Sequence, residues 1–166
     1  ASSGAICMTP DTQALAQYKF NSSTDGSIPV DRVLSAFEDN SGKMWFCTFG
    51  KGICRLNEYN GTFDIYNSQT LSNNTFNNIC HSILNDNKGK LWIATGKGIL
   101  CFCPTSLSVS SFTVEDGLLN NENVISSGIH LSNDDIIYGS ADGLTIFNAS
   151  NLTSALKNSR ILINGI

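Results

Sequence analysis

The sequence DNKGKLWIATGKGI at residues 86–99 decides the fold, because a near copy, DNSGKMWFCTFGKGI, stands at residues 39–53. The Asp, Gly, Lys and Trp of the earlier copy recur 47 residues later, and its Gly-Ile pair recurs 46 residues later. Self-similarity at a period of about 20 to 50 residues is the mark of repeat architectures. We therefore expect the chain to stack copies of one supersecondary unit.

Two partial copies flank these two. Residues 136–147 match residues 91–102 at an offset of 45, although Ile137 replaces Trp92. The turn before that third copy is reduced to SNDD at residues 132–135. At the start of the chain, Gly4 aligns with the glycine of the Gly-Ile pairs. The chain thus contains two complete units and parts of two more.

Each unit is predicted to form four short β-strands. In the first complete copy they cover roughly residues 33–38, 44–49, 52–57 and 62–67, where Val, Ile, Phe, Tyr and Trp cluster. The DNSG sequence at 39–42 is turn chemistry, because Asp and Asn bind nearby backbone and Gly supplies a positive φ. Four antiparallel strands in each repeat of this length are typical of a β-propeller blade.

These units predict an all-β chain, a partial β-propeller of about three blades and about thirteen strands over residues 1–158. Its parts are a half-blade at 4–21, complete blades at 33–67 and 79–115, and a last blade at 124–149. One blade cannot bury both of its faces, so neighbouring blades must stack. Residues 159–166 are expected to begin a following strand or domain.

Composition excludes several classes of function. The net charge is -4 and the sequence has no basic block, so we expect no nucleic-acid partner. Apolar runs stay below the 18 or so residues that a membrane span needs. The opening residues, ASSG, lack the features of a signal peptide. Any membrane contact is therefore expected through other parts of a longer protein.

Six cysteines lie mostly inside strand-like apolar runs: Cys7, Cys47, Cys54, Cys80, Cys101 and Cys103. The favoured interpretation is that they are buried small hydrophobic residues. A cross-strand disulfide is the alternative, with Cys47 and Cys54 as the best candidates because they flank a predicted hairpin. A metal site is the least favoured interpretation, because no second cysteine pair accompanies Cys101 and Cys103 at zinc spacing.

Trp45 and Trp92 are candidates either for a ligand pocket or for blade packing. They recur at one repeat position, whereas a specific pocket rarely needs the same residue in successive blades. We therefore predict that both indoles pack between blades. The same reasoning gives Asp39 and Asp86 a structural role in their turns rather than a role as metal ligands.

The sequence offers no recognisable catalytic constellation. His81 and His130 each lie in the apolar first strand of a blade, where a histidine is more often packed than catalytic. Paired carboxylates, nucleophile motifs and phosphate-binding loops are absent from the sequence, and GKG at 50–52 is a hairpin turn. We therefore predict no enzymatic activity, no catalytic residue, no cofactor and no metal for this segment, and its ligand-binding residues stay unassigned.

The pattern Asp86-x-x-Gly89-Lys90-Leu91-Trp92, followed by Gly98-Ile99, resembles the two-component regulator propeller repeat. EDGLLNN at 115–121 is similar to the inter-blade segment of that family, and the segment 137–148 is similar to its closing blade. RILINGI at 160–166 resembles the first strand of the immunoglobulin-like domain that follows such propellers. The resemblance extends over nearly the whole chain.

This resemblance implies a function. Such repeats build the periplasmic sensor of hybrid two-component systems in Bacteroides-type bacteria, where they sense oligosaccharides. The family's full-length proteins add a transmembrane helix and a histidine kinase. The resemblance therefore implies signal transduction, a periplasmic location and an oligosaccharide partner for this chain.

Two other classes of function stay open. A propeller lyase resembling the streptogramin-inactivating enzymes shares Gly-x-x-Trp-Phe turns, such as the one at residues 42–46. A protein-interaction scaffold is the other alternative.

The predicted stack also has a consequence for assembly. A stack of roughly three blades leaves an apolar face at each end, and we therefore expect a homo-oligomer, most simply a dimer.

Overall fold

The computed structural model describes residues 4–9, 14–71 and 76–155. They form thirteen β-strands, one 3-10 turn at Val114–Asp116 and one short helix, α1 (Ala149–Ala155). The strands are β1 (Ala5–Thr9), β2 (Ala14–Tyr18), β3 (Val33–Glu38), β4 (Met44–Thr48), β5 (Ile53–Asn57), β6 (Thr62–Tyr66), β7 (Cys80–Asn85), β8 (Leu91–Thr95), β9 (Gly98–Cys103), β10 (Ser108–Phe112), β11 (Asn123–His130), β12 (Asp135–Ser140) and β13 (Gly143–Asn148). The prediction of an all-β chain is confirmed.

The strands form four antiparallel sheets in which sequence neighbours pair. β3–β6 and β7–β10 are four-stranded meanders, which we call blades 1 and 2. β1 and β2 pair as a half-blade before them, and β11–β13 form a three-stranded blade 3 after them. The expected start of a following domain at 159–166 lies outside the described residues. No helix in the described ranges is long and apolar enough to cross a membrane.

The repeated aspartates organise the turn between the first two strands of blades 1 and 2. In blade 2, one carboxylate oxygen of Asp86 accepts hydrogen bonds from the backbone N–H groups of Lys88 and Lys90, both at 2.9 Å. Its other oxygen accepts the indole N–H of Trp92 at 3.1 Å. Asp39 repeats the arrangement in blade 1. One side chain therefore closes the turn and orients the tryptophan.

Trp45 and Trp92 occupy equivalent places between blades, as predicted. Their exposed fractions are 1% and 0%. Trp45 packs between blades 1 and 2 near Phe102 of blade 2, with ring centroids 6.3 Å apart. Trp92 packs between blades 2 and 3, 4.8 Å from Phe147 of blade 3. Buried indoles at these positions stabilise the stack and lie away from solvent.

Blade 3 keeps the turn but loses the aspartate and the tryptophan together. The Leu131 N–H donates to the backbone carbonyl of Asp135 at 2.8 Å, and the Asp134 N–H donates to that of Leu131 at 3.0 Å. In blade 2 the N–H groups of Asp86 and Gly89 make the same two backbone bonds. Leu131 thus takes the place of the turn aspartate. Asp134 takes the glycine position, with a φ of 67°.

The glycine of each Gly-Ile pair is required by a close backbone approach. Gly52 and Gly98 have φ values of 80° and 110°, which favour glycine. A Cβ at Gly52 would lie 2.2 Å from the carbonyl oxygen of Tyr66, and one at Gly98 would lie 2.1 Å from that of Phe112. In both blades, the third strand therefore starts directly against the end of the fourth.

The disulfide alternative for Cys47 and Cys54 is wrong. β4 and β5 pair Phe46 with Cys54, which places the two thiols on opposite faces of blade 1. Cys47 lies in the core between blades 1 and 2, whereas Cys54 lies in the core on the half-blade side. All six cysteines are free thiols. Burial, partly offset by the Ser35 hydroxyl, raises the pKa of Cys47 to about 12.

Candidate functional site

One edge of the blades carries loops that contribute only a few residues to the packing cores, such as Phe76 and Leu118, and we call this edge the rim. It consists of the segments that lead into β7 and β11 and the hairpins that join the second and third strands of each blade. The carbonyl of Asn78 accepts the N–H groups of Gly50 and Gly52, and the carbonyl of Asn121 accepts that of Gly98. These bonds fasten each linker to the hairpin of the blade before it.

The rim opens into a groove between blades 2 and 3. The groove has a volume of about 880 Å³. Its walls come from the hairpin 96–97, the linker 113–122 and the hairpin of blade 3. Residues along it include Lys97, Thr113, Leu119, Asn120, Glu122 and Asp142. We call it the rim groove.

Local hydrogen bonds fix the linker wall of the rim groove. Thr113 caps the 3-10 turn, because its N–H donates to Asp116 at 2.9 Å and its hydroxyl accepts the N–H of Glu115. The side-chain carbonyl of Asn121 accepts the N–H of Val114 at 2.9 Å. Capping side chains of this kind hold a short turn in one conformation. The linker wall is therefore pre-formed.

The other end of the linker is fastened to both blades. The buried amide of Asn123 donates to the carbonyls of Thr95 and Gly98, at 3.1 and 3.2 Å. The Asn120 amide donates to the Asp142 carboxylate across the groove. Blades 2 and 3 are therefore held in register at the groove by buried and exposed amide groups.

The chemistry of the rim groove is mixed. Lys97 supplies an ammonium group, while Glu122 and Asp142 supply carboxylates, and all three residues are exposed. Val114 and Leu119 add apolar surface, with exposed fractions of 47% and 58%. The groove is open to solvent and about equally polar and apolar, so it differs from an enclosed, mainly apolar small-molecule pocket and would bind a ligand along its surface. Its donors and acceptors suit a ligand rich in hydroxyl groups.

Neither histidine lies in a nucleophile–base arrangement. Nδ1 of His81 is 2.6 Å from the carbonyl oxygen of Asn123 on blade 3. Nε2 of His130 is 3.0 Å from Oδ1 of Asp134. The Ser150 hydroxyl donates to the Asp134 carboxylate rather than to the imidazole. Both imidazoles therefore bind groups that hold blades and turns together.

Asp134 is a fastening point between blades 2 and 3. It accepts the backbone N–H of Asn87 at 3.0 Å, from the turn of blade 2. Burial tends to raise the pKa of Asp134, but the hydrogen bonds from Ser150, Asn87 and His130 outweigh it and lower that pKa. Within the described ranges, no group of three or more His, Cys, Asp or Glu side chains is arranged to hold a metal ion.

Phe49 is an exposed aromatic side chain on the rim of blade 1 that the sequence did not indicate as a candidate site residue. The guanidinium of Arg32 lies 3.9 Å from the ring centroid of Phe49, a cation–π contact. The Phe49 N–H also donates to the Arg32 carbonyl at 3.0 Å. The rim groove was missed as well, because its walls are far apart in the sequence. The repeat register, which superposes the hairpins of successive blades, could have indicated it.

Comparison with known families and proteins agrees with the repeat. Residues 70–97 match the family model described as the two component regulator propeller. Histidine kinase P4 of Formosa agariphila is 23% identical over 86 residues, which make up 52% of this chain and 6% of that protein. The chain thus spans a small part of this relative.

Solved structures share the fold over most of the chain. One structure of the extracellular domain of BT4673 from B. thetaiotaomicron, named a putative one component system, matches 90% of this chain and 19% of its own, with a TM-score of 0.65 and 23% identity. A second structure of that domain, named a putative hybrid two component system, matches 89% of this chain and 18% of its own, with a TM-score of 0.66 and 19% identity. PorZ, a surface component of the type-IX secretion system of Porphyromonas gingivalis, matches 87% of this chain and 22% of its own, with a TM-score of 0.63 and 20% identity. At these identities the likeness shows the fold alone. The chain therefore has the fold of stacked propeller blades, and one stretch of it, residues 70–97, matches the two-component regulator propeller repeat.

Proposed function

We propose that this chain is part of the periplasmic ligand-sensing propeller of a hybrid two-component system, and that it senses oligosaccharides through the rim groove. The observation that carries the proposal is the two-component regulator propeller repeat at residues 70–97. The fold of an extracellular domain named as part of such a system supports it. The chain itself would bind the oligosaccharide and transmit the signal of binding, while catalysis of phosphorylation would belong to other parts of a longer protein.

The rim groove supports the choice of ligand class. A sugar presents hydroxyl groups that both donate and accept, together with apolar C–H faces. Asp142 and Glu122 can accept from hydroxyls, Lys97 can donate, and Leu119 offers a surface for a C–H face. The pre-formed linker wall lowers the ordering cost of binding.

A protein-interaction scaffold is the second candidate, favoured by the likeness to PorZ, a component of a secretion system. The two candidates differ in which molecules change the stability of the chain. A sensor binds a small saccharide at the rim groove. A scaffold binds a protein and gains nothing from saccharides.

A thermal-shift screen of the chain against defined oligosaccharides, with and without divalent metal, tests the proposal. A saccharide at 100 times its dissociation constant should stabilise the chain by about 2.7 kcal/mol and raise its Tm. Removing metal should leave the shift unchanged. A panel that shifts nothing, or a saccharide that is turned over by the chain, would contradict a sensing role.

Variants locate the binding. Lys97→Ala and Glu122→Gln should each weaken binding of the shifting saccharide about tenfold in titration calorimetry, since hydrogen bonds to charged groups contribute about 1.5 to 3 kcal/mol. Lys88→Ala, an exposed lysine in the turn at the opposite edge of blade 2, is the matched control. Equal affinities for all three variants would place the saccharide elsewhere.

A further inference from the structure

A second cleft lies between the half-blade and blade 1, beside β2 and β6, the last strands of their sheets. It has a volume of about 330 Å³. Its walls are the end of β2, the linker 19–28 and the turn that joins β5 to β6. We call it the outer cleft. It shares no lining residue with the rim groove.

Strands that complete the half-blade would leave the outer cleft open. A Cβ at Gly4 would lie 2.0 Å from the carbonyl oxygen of Tyr18, the approach that Gly52 and Gly98 make at the start of a third strand. β1 and β2 are therefore the third and fourth strands of their blade. In blades 1 and 2 the first two strands lie on the far side of the third strand from the fourth. Further strands would thus pair with β1, away from the cleft beside β2, and an earlier blade would pack on the face of the half-blade that turns away from blade 1.

Hydrogen bonds within residues 21–27 hold one wall of the outer cleft in a single conformation. The side-chain carbonyl of Asn21 accepts the N–H of Ser23 at 2.9 Å, and its amide donates to the Thr24 hydroxyl at 2.8 Å. The Ser27 hydroxyl accepts the N–H of Asn21 and donates to the Asn21 carbonyl, at 3.2 and 3.0 Å. This wall therefore needs little ordering when a ligand binds.

The same loop is anchored to blade 1. Ile28 is fully buried in a core that includes Phe63. The carbonyl of Gly26 accepts the N–H of Phe63 at 2.8 Å. On the opposite wall, the side-chain carbonyl of Asn60 accepts the N–H and the hydroxyl of Thr62, at 3.1 and 2.8 Å. Both walls of the outer cleft are therefore pre-formed.

The outer cleft combines an aromatic ring with polar groups. Tyr18 is half-buried and packs edge to face on Phe63, with ring centroids 5.4 Å apart. Lys19, Asp25 and Asn60 are exposed along the cleft. They supply an ammonium donor, a carboxylate acceptor and an amide whose N–H groups can donate. The one positive and the one negative charge offset each other, which favours a neutral ligand.

The rim groove offers the same kinds of polar group through Lys97, Asp142 and Asn120. The residues that line it in the described part of the chain include no aromatic ring, whereas the outer cleft has Tyr18. A saccharide fits the outer cleft because its hydroxyl groups both donate and accept, while the C–H face of a sugar ring is apolar and can stack on a phenol ring.

We propose that the outer cleft is a second saccharide-binding site, in which a neutral sugar ring stacks on Tyr18 and its hydroxyl groups bind Lys19, Asp25 and Asn60. The inference rests on the proposed sensing of oligosaccharides and extends it from one site to two. The cleft is open to solvent, so the sugar lies along its surface.

Titration calorimetry of the full chain with neutral mono- to tetrasaccharides tests the proposal. The wild type should bind two saccharide molecules per chain. Asp25→Asn should weaken the outer-cleft site about tenfold, because a charged acceptor becomes a neutral one, and should leave the rim-groove site unchanged. Glu58→Gln is the matched control, since Glu58 is an exposed carboxylate in the turn between β5 and β6 that does not line the cleft.

Two substitutions at Tyr18 separate binding from structure. Tyr18→Phe keeps the ring and should keep the affinity. Tyr18→Leu keeps an apolar contact with Phe63 but removes the flat ring, and should weaken the outer-cleft site about tenfold. A lower Tm of Tyr18→Leu with unchanged affinity would show a purely structural role and would overturn the proposal. If Tyr18→Leu does not fold, the exposed Asp25→Asn decides.

The outcomes separate this proposal from the rim-groove assignment. Two sites, one sensitive to Asp25→Asn and the other to Lys97→Ala, would support the outer cleft. A single site that responds only to Lys97→Ala would overturn the outer cleft and leave the proposed function standing. A single site that responds only to Asp25→Asn and Tyr18→Leu would support the outer cleft and overturn the rim groove as the sensing site. A panel that does not bind at all would overturn both.

Discussion

A double-mutant cycle on Asp86 and Trp92 tests whether the turn aspartate and the core tryptophan act as one unit. Blade 3 provides the design, because Leu131 and Ile137 occupy their places there and the turn still forms. The variants are Asp86→Leu, Trp92→Ile and the double replacement that copies blade 3. The quantity compared is the free energy of unfolding of the whole chain.

The structure gives the magnitudes. Trp92 is fully buried, and its replacement by Ile leaves a partial cavity, at a cost of about 2 to 3 kcal/mol, below the cost of complete truncation. Asp86 is fully buried, and Asp86→Leu removes three accepted hydrogen bonds, two of them part-buried bonds from backbone N–H groups. Its cost should be about 3 kcal/mol, including an indole N–H left buried without its acceptor.

The double variant should lose about 1 to 2 kcal/mol less free energy of unfolding than the sum of the losses of the two single variants. In the double variant Trp92→Ile removes the indole N–H that Asp86→Leu would leave buried without an acceptor. Urea unfolding followed by circular dichroism measures all four proteins, and equal m values confirm that the transitions are comparable. Asp39→Leu and Trp45→Ile in blade 1 form a second cycle of the same geometry. Costs that add to within about 0.5 kcal/mol in both cycles would refute the coupling.

Three further predictions concern single positions. Gly98→Ala should destabilise the chain by at least about 3 kcal/mol in urea unfolding, because Gly98 has a positive φ and an added Cβ would lie 2.1 Å from the carbonyl oxygen of Phe112. Gly89→Ala, also at a positive φ but in open space, should cost about 1 kcal/mol. Equal costs for the two variants would contradict the close approach at Gly98. The pKa of Asp39 is lowered because hydrogen bonds, led by that from Ser41, outweigh its burial. Its contribution to stability is therefore complete above its ordinary pKa of 3.8 and is lost as the pH falls through the lower folded value, so Asp39→Asn should flatten the acid limb of a stability–pH curve. Hydrogen bonds from Ser106 and Thr105 lower the pKa of Cys103 to about 7, so in a Cys7→Ser background, which removes the exposed Cys7 thiol, Cys103 should react with a disulfide reagent at neutral pH far faster than the buried Cys47. Adding Cys103→Ser to that background should remove the fast phase.

The strands and turns of each blade could be predicted because local sequence patterns determine them. The spacing of the Asp-x-x-Gly-Lys turn locates the first hairpin of blades 1 and 2, and runs of apolar residues locate its strands. Local sequence also explained Asp86 and Trp92 one at a time, as a turn former and a core residue. It did not show that one carboxylate binds both the turn and the indole, since that depends on the rotamers of two side chains six residues apart.

The disulfide alternative was wrong because it depended on strand register, which local sequence does not fix. Cys47 and Cys54 flank a hairpin and are close along the sequence, which suggests a bridge. Side chains alternate between the two faces of a sheet, so a shift of one residue in register sends a side chain to the other face. The observed pairing of Phe46 with Cys54 therefore separates the thiols by the thickness of the blade.

The rim groove could not be predicted from any one segment. Lys97, Asn120 and Asp142 meet only after blades 2 and 3 stack in register, and that stacking is held by the buried Asn123 as well as by the Asn120–Asp142 hydrogen bond. Lys97 and Glu122 are exposed and lie far apart from Asp142 in the sequence, so no local pattern marks them as neighbours.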